Sequence, residues 1–177
     1  MKAFRLRVLI DYKEDVFRDV LLREDQTFFE LHLTIQEAFE FDGQQIASFY
    51  LSNDDWDRGE EIAQMDFDED FGPSKLKTME DTKLGDLIQE KGQKLLYVYD
   101  FMLMWCFYVE LLDISEATDE EYPLLATEYG KSPDQYSKES PVLSDEEAAR
   151  LLTGSDDDDD EDLDSEIGGI FDEYAND

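Results

Sequence analysis

The chain contains one histidine, His32, and one cysteine, Cys106, the side chains best suited to act as a general base and as a nucleophile near neutral pH. His32 falls on the apolar face of a predicted helix, and Cys106 falls within the apolar run 103–109. Both positions favour an interior side chain, that is, a core histidine and an inert buried thiol. A single thiol also rules out an internal disulfide and a zinc site built from several cysteines.

Motifs that would bind a nucleotide or a metal ion are missing or incomplete in the sequence. Neither the Gly-rich phosphate loop with its lysine nor the G-x-G-x-x-G pattern of dinucleotide-binding proteins occurs. Asp66, Asp68 and Asp70 have the spacing with which a calcium loop begins, but Phe71 and Lys77 occupy the positions that require Gly and Glu. We therefore predict no catalytic residues, no bound metal and no cofactor.

The charge balance narrows the classes of partner. With 15 basic and 48 acidic side chains the formal net charge is −33, and such a surface repels nucleic-acid phosphates and anionic membranes. We expect no direct nucleic-acid contact, no membrane contact and, because no apolar signal segment is present, a cytoplasmic location. A partner protein with a basic surface would be attracted, although solubility alone also explains the charge.

Residues 27–41 are predicted to form the main helix, around which the other elements are arranged. Thr27 and Glu30 have the spacing of a capping box, in which the hydroxyl accepts an N–H of the first turn and the carboxylate reaches back. Gly43 stands where a left-handed residue would end the helix. The buried face has the i, i+3, i+4, i+7 spacing and consists of Phe28, Leu31, His32, Ile35, Ala38 and Phe39.

Alternating or continuous apolar runs predict the strands that cover this helix. The predicted strands are Phe4–Tyr12, Phe17–Arg23, Ile46–Leu51, Lys94–Tyr99 and Met104–Ile114, with a shorter one near Glu61–Met65 and a short second helix at Thr82–Lys91. The last two long strands are expected to pair at the centre of the sheet. The element order predicts an α+β core domain over residues 1–115, a β-grasp-like (ubiquitin-like) mixed sheet packed on one main helix with an extra terminal strand.

Beyond residue 115 the sequence becomes more acidic and less apolar. Residues 116–153 are predicted to be a loop, 116–139, followed by a short helix at 145–153, which Ser144 and Glu147 would cap. Residues 154–177 hold 12 acidic and no basic side chains, which predicts a disordered acidic tail. Within the tail, four apolar side chains at helical spacing could dock in the groove of a partner, namely Ile167, Ile170, Phe171 and Tyr174.

Several segments together resemble a known family. FRLRVLI, VFRDVLLREDQTFFELHLTIQEAFEF, YVYDFMLMW and YPLLATEYGKSPDQY resemble the plasmid ORF-3-like family, which is named after a root-inducing plasmid and associated with mobile elements. The resemblance covers about residues 3–136, and the matching positions are Arg18, Leu31, His32, Ile35, Ala38, Phe39, Tyr99, Asp100, Phe101 and Trp105. It implies that His32, Asp100 and Trp105 are the remnant of a family pocket, in which Met102 and Leu103 stand where the family has Gly and Asp, and Phe107 stands where it has His.

These observations favour a non-enzymatic cytoplasmic protein that binds another protein, since the family has no settled activity and its polar positions are largely apolar in this chain. One alternative is an acidic DNA mimic, whose carboxylates would replace phosphates on the basic surface of a nucleic-acid-binding partner. Another is a degenerate enzyme of unknown activity, which would require a pocket where His32 meets Asp100 and Trp105.

Overall fold

A single sheet of eight strands, with one longer helix against it, makes up the part of the chain that the computed structural model describes, residues 1–66 and 76–138. The elements are β1 Lys2–Ile10, β2 Phe17–Arg23, α1 Phe28–Ala38, β3 Ala47–Leu51, β4 Glu61–Ala63, β5 Lys77–Thr78, α2 Leu84–Leu87, β6 Lys94–Tyr99, β7 Trp105–Glu116 and β8 Leu124–Tyr129. The mixed sheet and the two helices confirm the predicted α+β class.

The strands lie in the order β5-β4-β3-β6-β7-β1-β2-β8. Neighbouring strands are antiparallel except β4 and β5, which are parallel. β6 and β7 pair at the centre of the sheet, as predicted, and β6 is buried along nearly its whole length. β1 and β6 run in the same direction but are separated by β7, which is antiparallel to both. In a β-grasp sheet, two strands that run in the same direction lie side by side at the centre. The β-grasp part of the predicted fold therefore stays a prediction.

The beginning of α1 is fixed by the predicted capping box. The N–H of Glu30 donates to Thr27 Oγ1 at 3.2 Å, and the N–H of Thr27 donates to Glu30 Oε2 at 2.8 Å. These two bonds satisfy N–H groups that have no partner within the helix. Because both partners lie within four consecutive residues, the sequence alone was sufficient to locate this end.

The end of α1 differs from the prediction. Glu40, rather than Gly43, takes the left-handed conformation that ends the helix, with φ of 58°. Its N–H donates to Glu37 O at 3.2 Å, and the N–H of Phe41 donates to Gln36 O at 2.9 Å. This pair of bonds is the Schellman pattern, in which glycine is the usual left-handed residue. Gly43, with φ of 71°, lies in the loop beyond.

α1 packs on one face of the sheet through aromatic side chains. Phe28 meets Phe49 of β3 with ring centroids 5.3 Å apart, and Phe39 meets Phe107 of β7 at 5.0 Å. Both pairs are edge-to-face, the arrangement that ring quadrupoles favour. His32 lies on the same buried face, only 2% exposed, as predicted.

The opposite face of the sheet carries a charge cluster on β1 and β2. Asp19 is fully buried, and its carboxylate lies 2.8 Å from the guanidinium groups of both Arg5 and Arg7. The guanidinium of Arg7 also lies 4.3 Å from the ring centroid of Phe17. Ion pairs between side chains thus connect β1 and β2, which are also connected by backbone hydrogen bonds.

The prediction of a loop over residues 116–139 is wrong in part. β7 continues to Glu116, and β8 forms a strand that pairs with β2. The segment LLATEY gave no signal because most of its side chains are exposed at the edge of the sheet, so apolar and polar residues need not alternate. Residues Met1–Lys138 accordingly form one compact unit.

The second helix is also shorter than the predicted Thr82–Lys91. α2 contains only four residues, and the side chain of Gln93 contacts the chain where it ends. The Gln93 amide donates to Leu87 O at 2.6 Å, and its carbonyl oxygen accepts the N–H of Gln89 at 3.0 Å. The hydrogen bonds that would continue a helix are replaced by bonds to this side chain.

Several predicted features lie outside the described residues. They are Asp68 and Asp70, the helix at 145–153 with its capping residues Ser144 and Glu147, and the acidic tail 154–177 with Ile167, Ile170, Phe171 and Tyr174. Within residues 1–66 and 76–138, no helix has the length and apolar character needed to cross a membrane.

Candidate functional site

His32 is held between α1 and the sheet by a tyrosine of β6. Its Nδ1 lies 2.6 Å from the hydroxyl of Tyr97, which also accepts the side-chain N–H of Gln36 at 2.5 Å. Burial lowers the pKa of His32 to about 4, so the imidazole is neutral at neutral pH. The ring is therefore a hydrogen-bonded member of the core and is enclosed by protein.

Asp100 shapes the turn between β6 and β7. Its backbone is left-handed, with φ of 63°, and its Oδ1 accepts the N–H of Met102 at 3.0 Å and of Leu103 at 3.1 Å. Aspartate is favoured in such turns because its short side chain can bond to backbone N–H groups that follow it. The carboxylate is thus used within the hairpin.

Trp105 begins β7 and is 1% exposed. Its indole N–H donates to Gln135 O at 2.9 Å, and its ring lies 5.5 Å from that of Phe41. In the part of the chain that the structure describes, no hydrogen bond, ion pair or ring contact joins His32, Asp100 and Trp105 to one another. Each of the three predicted pocket residues thus has polar contacts of its own, and the family pocket stays a prediction.

Residues 131–138, here called the strap, are tied to the loop after α1 by an exposed carboxylate. Asp42 accepts the hydroxyl groups of Tyr136 and Tyr99 and the side-chain N–H of Gln135. The bond from Tyr136 and the backbone bond from Gln44 lower the pKa of Asp42 to about 2. Tyr99, Gln135 and Tyr136 thus connect this carboxylate to β6 and to the strap, which indicates a structural tie.

Cys106 is half-buried rather than fully buried, a small correction to the prediction. Burial raises the pKa of its thiol to about 11, and the charge of Asp11 acts in the same direction. Because the thiolate is the reactive form, the protonated thiol at neutral pH is a poor nucleophile.

A groove of about 340 Å³ lies between α1 and β8. We call it the acidic groove. Its lining residues are Val20, Thr34, Glu37, Ala38, Glu40, Pro123, Leu124, Leu125 and Glu128. Among the lining residues that the structure describes, three carry carboxylates, none is basic, and the others are apolar apart from Thr34. Long cationic side chains suit such a surface, since an aliphatic stem covers apolar atoms while the charged end reaches a carboxylate.

Arg18 is the cation next to this groove, and it is buried. Its guanidinium donates to Ala38 O at 3.1 Å and to Tyr129 O at 2.8 Å, and lies 3.4 Å from a carboxylate oxygen of Glu128. Burial lowers the pKa of Arg18, whereas Glu128 and Glu40 raise it. Counting only residues 1–66 and 76–138, one guanidinium lies beside three carboxylates, which gives this part of the acidic groove an excess of negative charge.

Sequence reasoning missed the acidic groove entirely. Glu37 and Glu40 are three residues apart and therefore share one face of α1 and its cap, which is the one local signal available. Among 48 acidic residues such a pair carries little information. Glu128 lies on β8, which the sequence did not predict, so nothing in the sequence placed it beside the helix.

The comparisons with known proteins agree with the resemblance seen in the sequence. The family described as Plasmid pRiA4b ORF-3-like protein matches residues 2–177. The chain belongs to this family. None of the curated proteins matches the chain.

Among solved structures, this ORF-3-like protein is similar to MM3350 from Methanosarcina mazei Go1, a protein of unknown function. The two are 25% identical, and the match covers 86% of this chain and 82% of the other, with a TM-score of 0.65. The similarity supports the fold described above.

Proposed function

We propose that this protein is a binding module without catalytic activity, whose partner is a protein that presents a basic segment to the acidic groove. The observation that carries the proposal is the composition of the groove: Glu37, Glu40 and Glu128 line it together with apolar side chains, and Glu128 lies beside the buried guanidinium of Arg18. The enclosed imidazole of His32 and the raised pKa of the Cys106 thiol make these two side chains poorly suited to catalysis, which supports the non-catalytic part of the proposal.

The mixed acidic and apolar lining of the groove favours a peptide over a DNA-binding surface as the partner. A DNA mimic needs carboxylates at the regular spacing of phosphates, whereas the acidic groove places three carboxylates around an apolar lining. An arginine side chain of a peptide can contact both the apolar and the acidic residues of the groove. Its aliphatic stem would pack on Leu125 and Ala38, and its guanidinium would pair with a carboxylate.

The expected affinity gain from these charges is modest. Exposed ion pairs contribute about 0.2–1 kcal/mol each. If each of the three carboxylates contributes about 0.5 kcal/mol, their joint removal weakens binding about tenfold. A protein with a net charge of −33 also attracts any basic peptide without specificity, so a charge-matched control is essential.

The test is a fluorescence anisotropy titration of the full chain with a labelled peptide of alternating Thr and Arg, acetyl-Thr-Arg-Thr-Arg-Thr-Arg-Thr-amide. The groove variant is Glu37→Gln, Glu40→Gln and Glu128→Gln together. Its control changes three exposed glutamates outside the groove by the same chemistry, namely Glu14→Gln, Glu80→Gln and Glu90→Gln. Thermal unfolding of both variants shows that each is folded.

We expect about tenfold weaker binding for the groove variant at about 0.15 M salt and little change for the control. Equal affinities for the two variants would show that the peptide responds only to net charge, and the proposed site would be wrong.

The acidic tail is a second proposed contact. Ile167, Ile170, Phe171 and Tyr174 have helical spacing, which suits docking in a partner's groove once a partner is known. Removing residues 154–177 and repeating a partner pull-down tests this contact separately from the acidic groove. Retention of the partner by the shortened chain would remove the tail from the proposal.

We further propose a cytoplasmic location. Cys106 is an unpaired thiol, which suits a reducing compartment. Fractionation of cells that express the full chain tests this, and recovery in a secreted fraction would contradict it.

A further inference from the structure

β8 forms one end of the sheet, and in the described part of the chain β2 is the strand that pairs with it. The strand contains six residues, and several of them are well exposed, including Leu125 at 50%. An end strand presents a row of backbone N–H and C=O groups that can pair with another chain. Within the described residues, the edge of β8 that points away from β2 carries no further strand, so we consider it a surface on which an extended segment could add.

The limits of this edge are set by its two neighbours along the chain. Pro123 precedes β8 and has no N–H to donate. Gly130 follows it in a left-handed conformation, with φ of 77°, which turns the chain away. Six residues at about 3.4 Å each give an edge of roughly 20 Å, enough for a peptide of six or seven residues.

The acidic groove runs beside this same strand. Leu124, Leu125 and Glu128 belong to β8 and line the groove, while Glu37 and Glu40 face them from α1 and its cap. Successive side chains of a strand point to opposite faces of a sheet. A strand added beside β8 would therefore direct every second side chain toward the α1 side, where the carboxylates lie.

We propose that the partner segment binds as an added antiparallel or parallel strand on β8, with a basic residue at every second position in the acidic groove. This inference rests on the proposed function and specifies how the partner is bound. Charge selects the occupant: a second copy of the chain would bring together two molecules of net charge −33, whereas a basic segment is attracted.

A β-bulge in β8 limits pairing with unsuitable chains. Asp19 pairs with Thr127 and Val20 pairs with Leu125, so Ala126 is an extra residue on the β8 side. Such bulges increase the local twist and make an edge less receptive to strands in general. A segment that also places cations in the acidic groove gains contacts that an arbitrary strand lacks. The edge of β8 and the acidic groove therefore select the bound segment together.

The test uses N-methylation of the alternating Thr and Arg peptide. In a strand, the N–H groups of alternate residues point to the same side, so only one of the two sets can bond to β8. One derivative is methylated at the three arginine amides, and the other at the amides of the three threonines that follow an arginine. The two derivatives have identical charge and the same number of methyl groups.

We expect one derivative to bind at least tenfold more weakly than the unmodified peptide and the other to bind within about threefold of it. In the complex with the unmodified peptide, amide hydrogen exchange along Leu124–Tyr129 is expected to slow at least severalfold. The groove variant, Glu37→Gln, Glu40→Gln and Glu128→Gln together, measures how much of the peptide affinity depends on the acidic groove.

The outcomes separate the two proposals. Equal effects of the two methylation patterns, with the groove variant still weakening binding, would overturn strand addition and leave the proposed function standing. Equal binding by the groove variant and its charge-matched control would overturn both.

Discussion

Replacement of Glu40 by glycine is predicted to relieve backbone strain at the end of α1 and to weaken binding at the same time. Glu40 has φ of 58° and takes the position in the Schellman cap of α1 that glycine usually occupies. A left-handed residue with a side chain costs roughly 1–2 kcal/mol. Glycine removes this cost but loses roughly 0.5–1 kcal/mol more backbone entropy on folding, so the net gain is about 1 kcal/mol.

Glu40→Gln is the matched control, because it removes the same charge but keeps the side chain in the left-handed conformation. Both variants lose the favourable interaction of Glu40 with the buried Arg18, so this contribution cancels when the two are compared. We expect glycine to raise the unfolding free energy by about 1 kcal/mol relative to glutamine. For a unit of this size that corresponds to an increase in Tm of about 4 °C.

Urea unfolding and thermal unfolding of the two variants measure the stability difference, and anisotropy with the basic peptide measures affinity. Both variants should bind about twofold more weakly than the natural chain, since each lacks one carboxylate worth about 0.5 kcal/mol. Gly43→Ala calibrates the cost of a side chain at φ of 71°, because among the described residues no atom beyond the two neighbours of Gly43 lies within 4 Å of the added methyl group. Equal stability of Glu40→Gly and Glu40→Gln would refute the reasoning that the cap stores backbone strain.

Three further predictions concern the core and its local hydrogen bonds. Burial lowers the pKa of His32 from 6.5 to about 4, so the unfolded chain binds a proton that the folded chain excludes, and stability is lost as the pH falls through this range. Relative to His32→Asn, the natural chain should lose up to about 3 kcal/mol of unfolding free energy between pH 7 and pH 4 in urea titrations. Thr27→Ala should cost about 1 kcal/mol, measured in the same way, because it removes the hydroxyl that caps α1. Alkylation of Cys106 at pH 8, followed by mass spectrometry, should be about 100-fold slower than that of a free thiol, because its pKa is raised to about 11.

Each of these three has a direct control. A stability difference between the natural chain and His32→Asn that does not change with pH would contradict the buried neutral imidazole. Thr27→Ser keeps the hydroxyl and should retain most of the stability, so an equal loss in both Thr27 variants would argue against the cap. Reaction of Cys106 at the rate of a small-molecule thiol would contradict the raised pKa, and the same protein in denaturant supplies the rate of the accessible thiol.

The sequence was most informative where a structure depends on residues that are close together in the chain. The bonds between Thr27 and Glu30 and the repeating apolar positions of α1 are local, and the predicted helix start is confirmed. The long strands were found for the same reason, because buried strands show runs of apolar residues. The end of α1 was missed because glycine is the usual left-handed residue, whereas Glu40 takes that conformation in this chain.

The sequence by itself also determined the family, the α+β class and the burial of His32. Only the tertiary structure decided what surrounds these features. It brings β8 beside β2 and so places Glu128 opposite Glu37 and Glu40, which are far away in the sequence. It also separates the polar contacts of His32, Asp100 and Trp105. Apolar periodicity shows which side of an element is buried, but the order of strands in a sheet depends on pairings between distant segments, and a groove formed by such a pairing leaves no local pattern in the sequence.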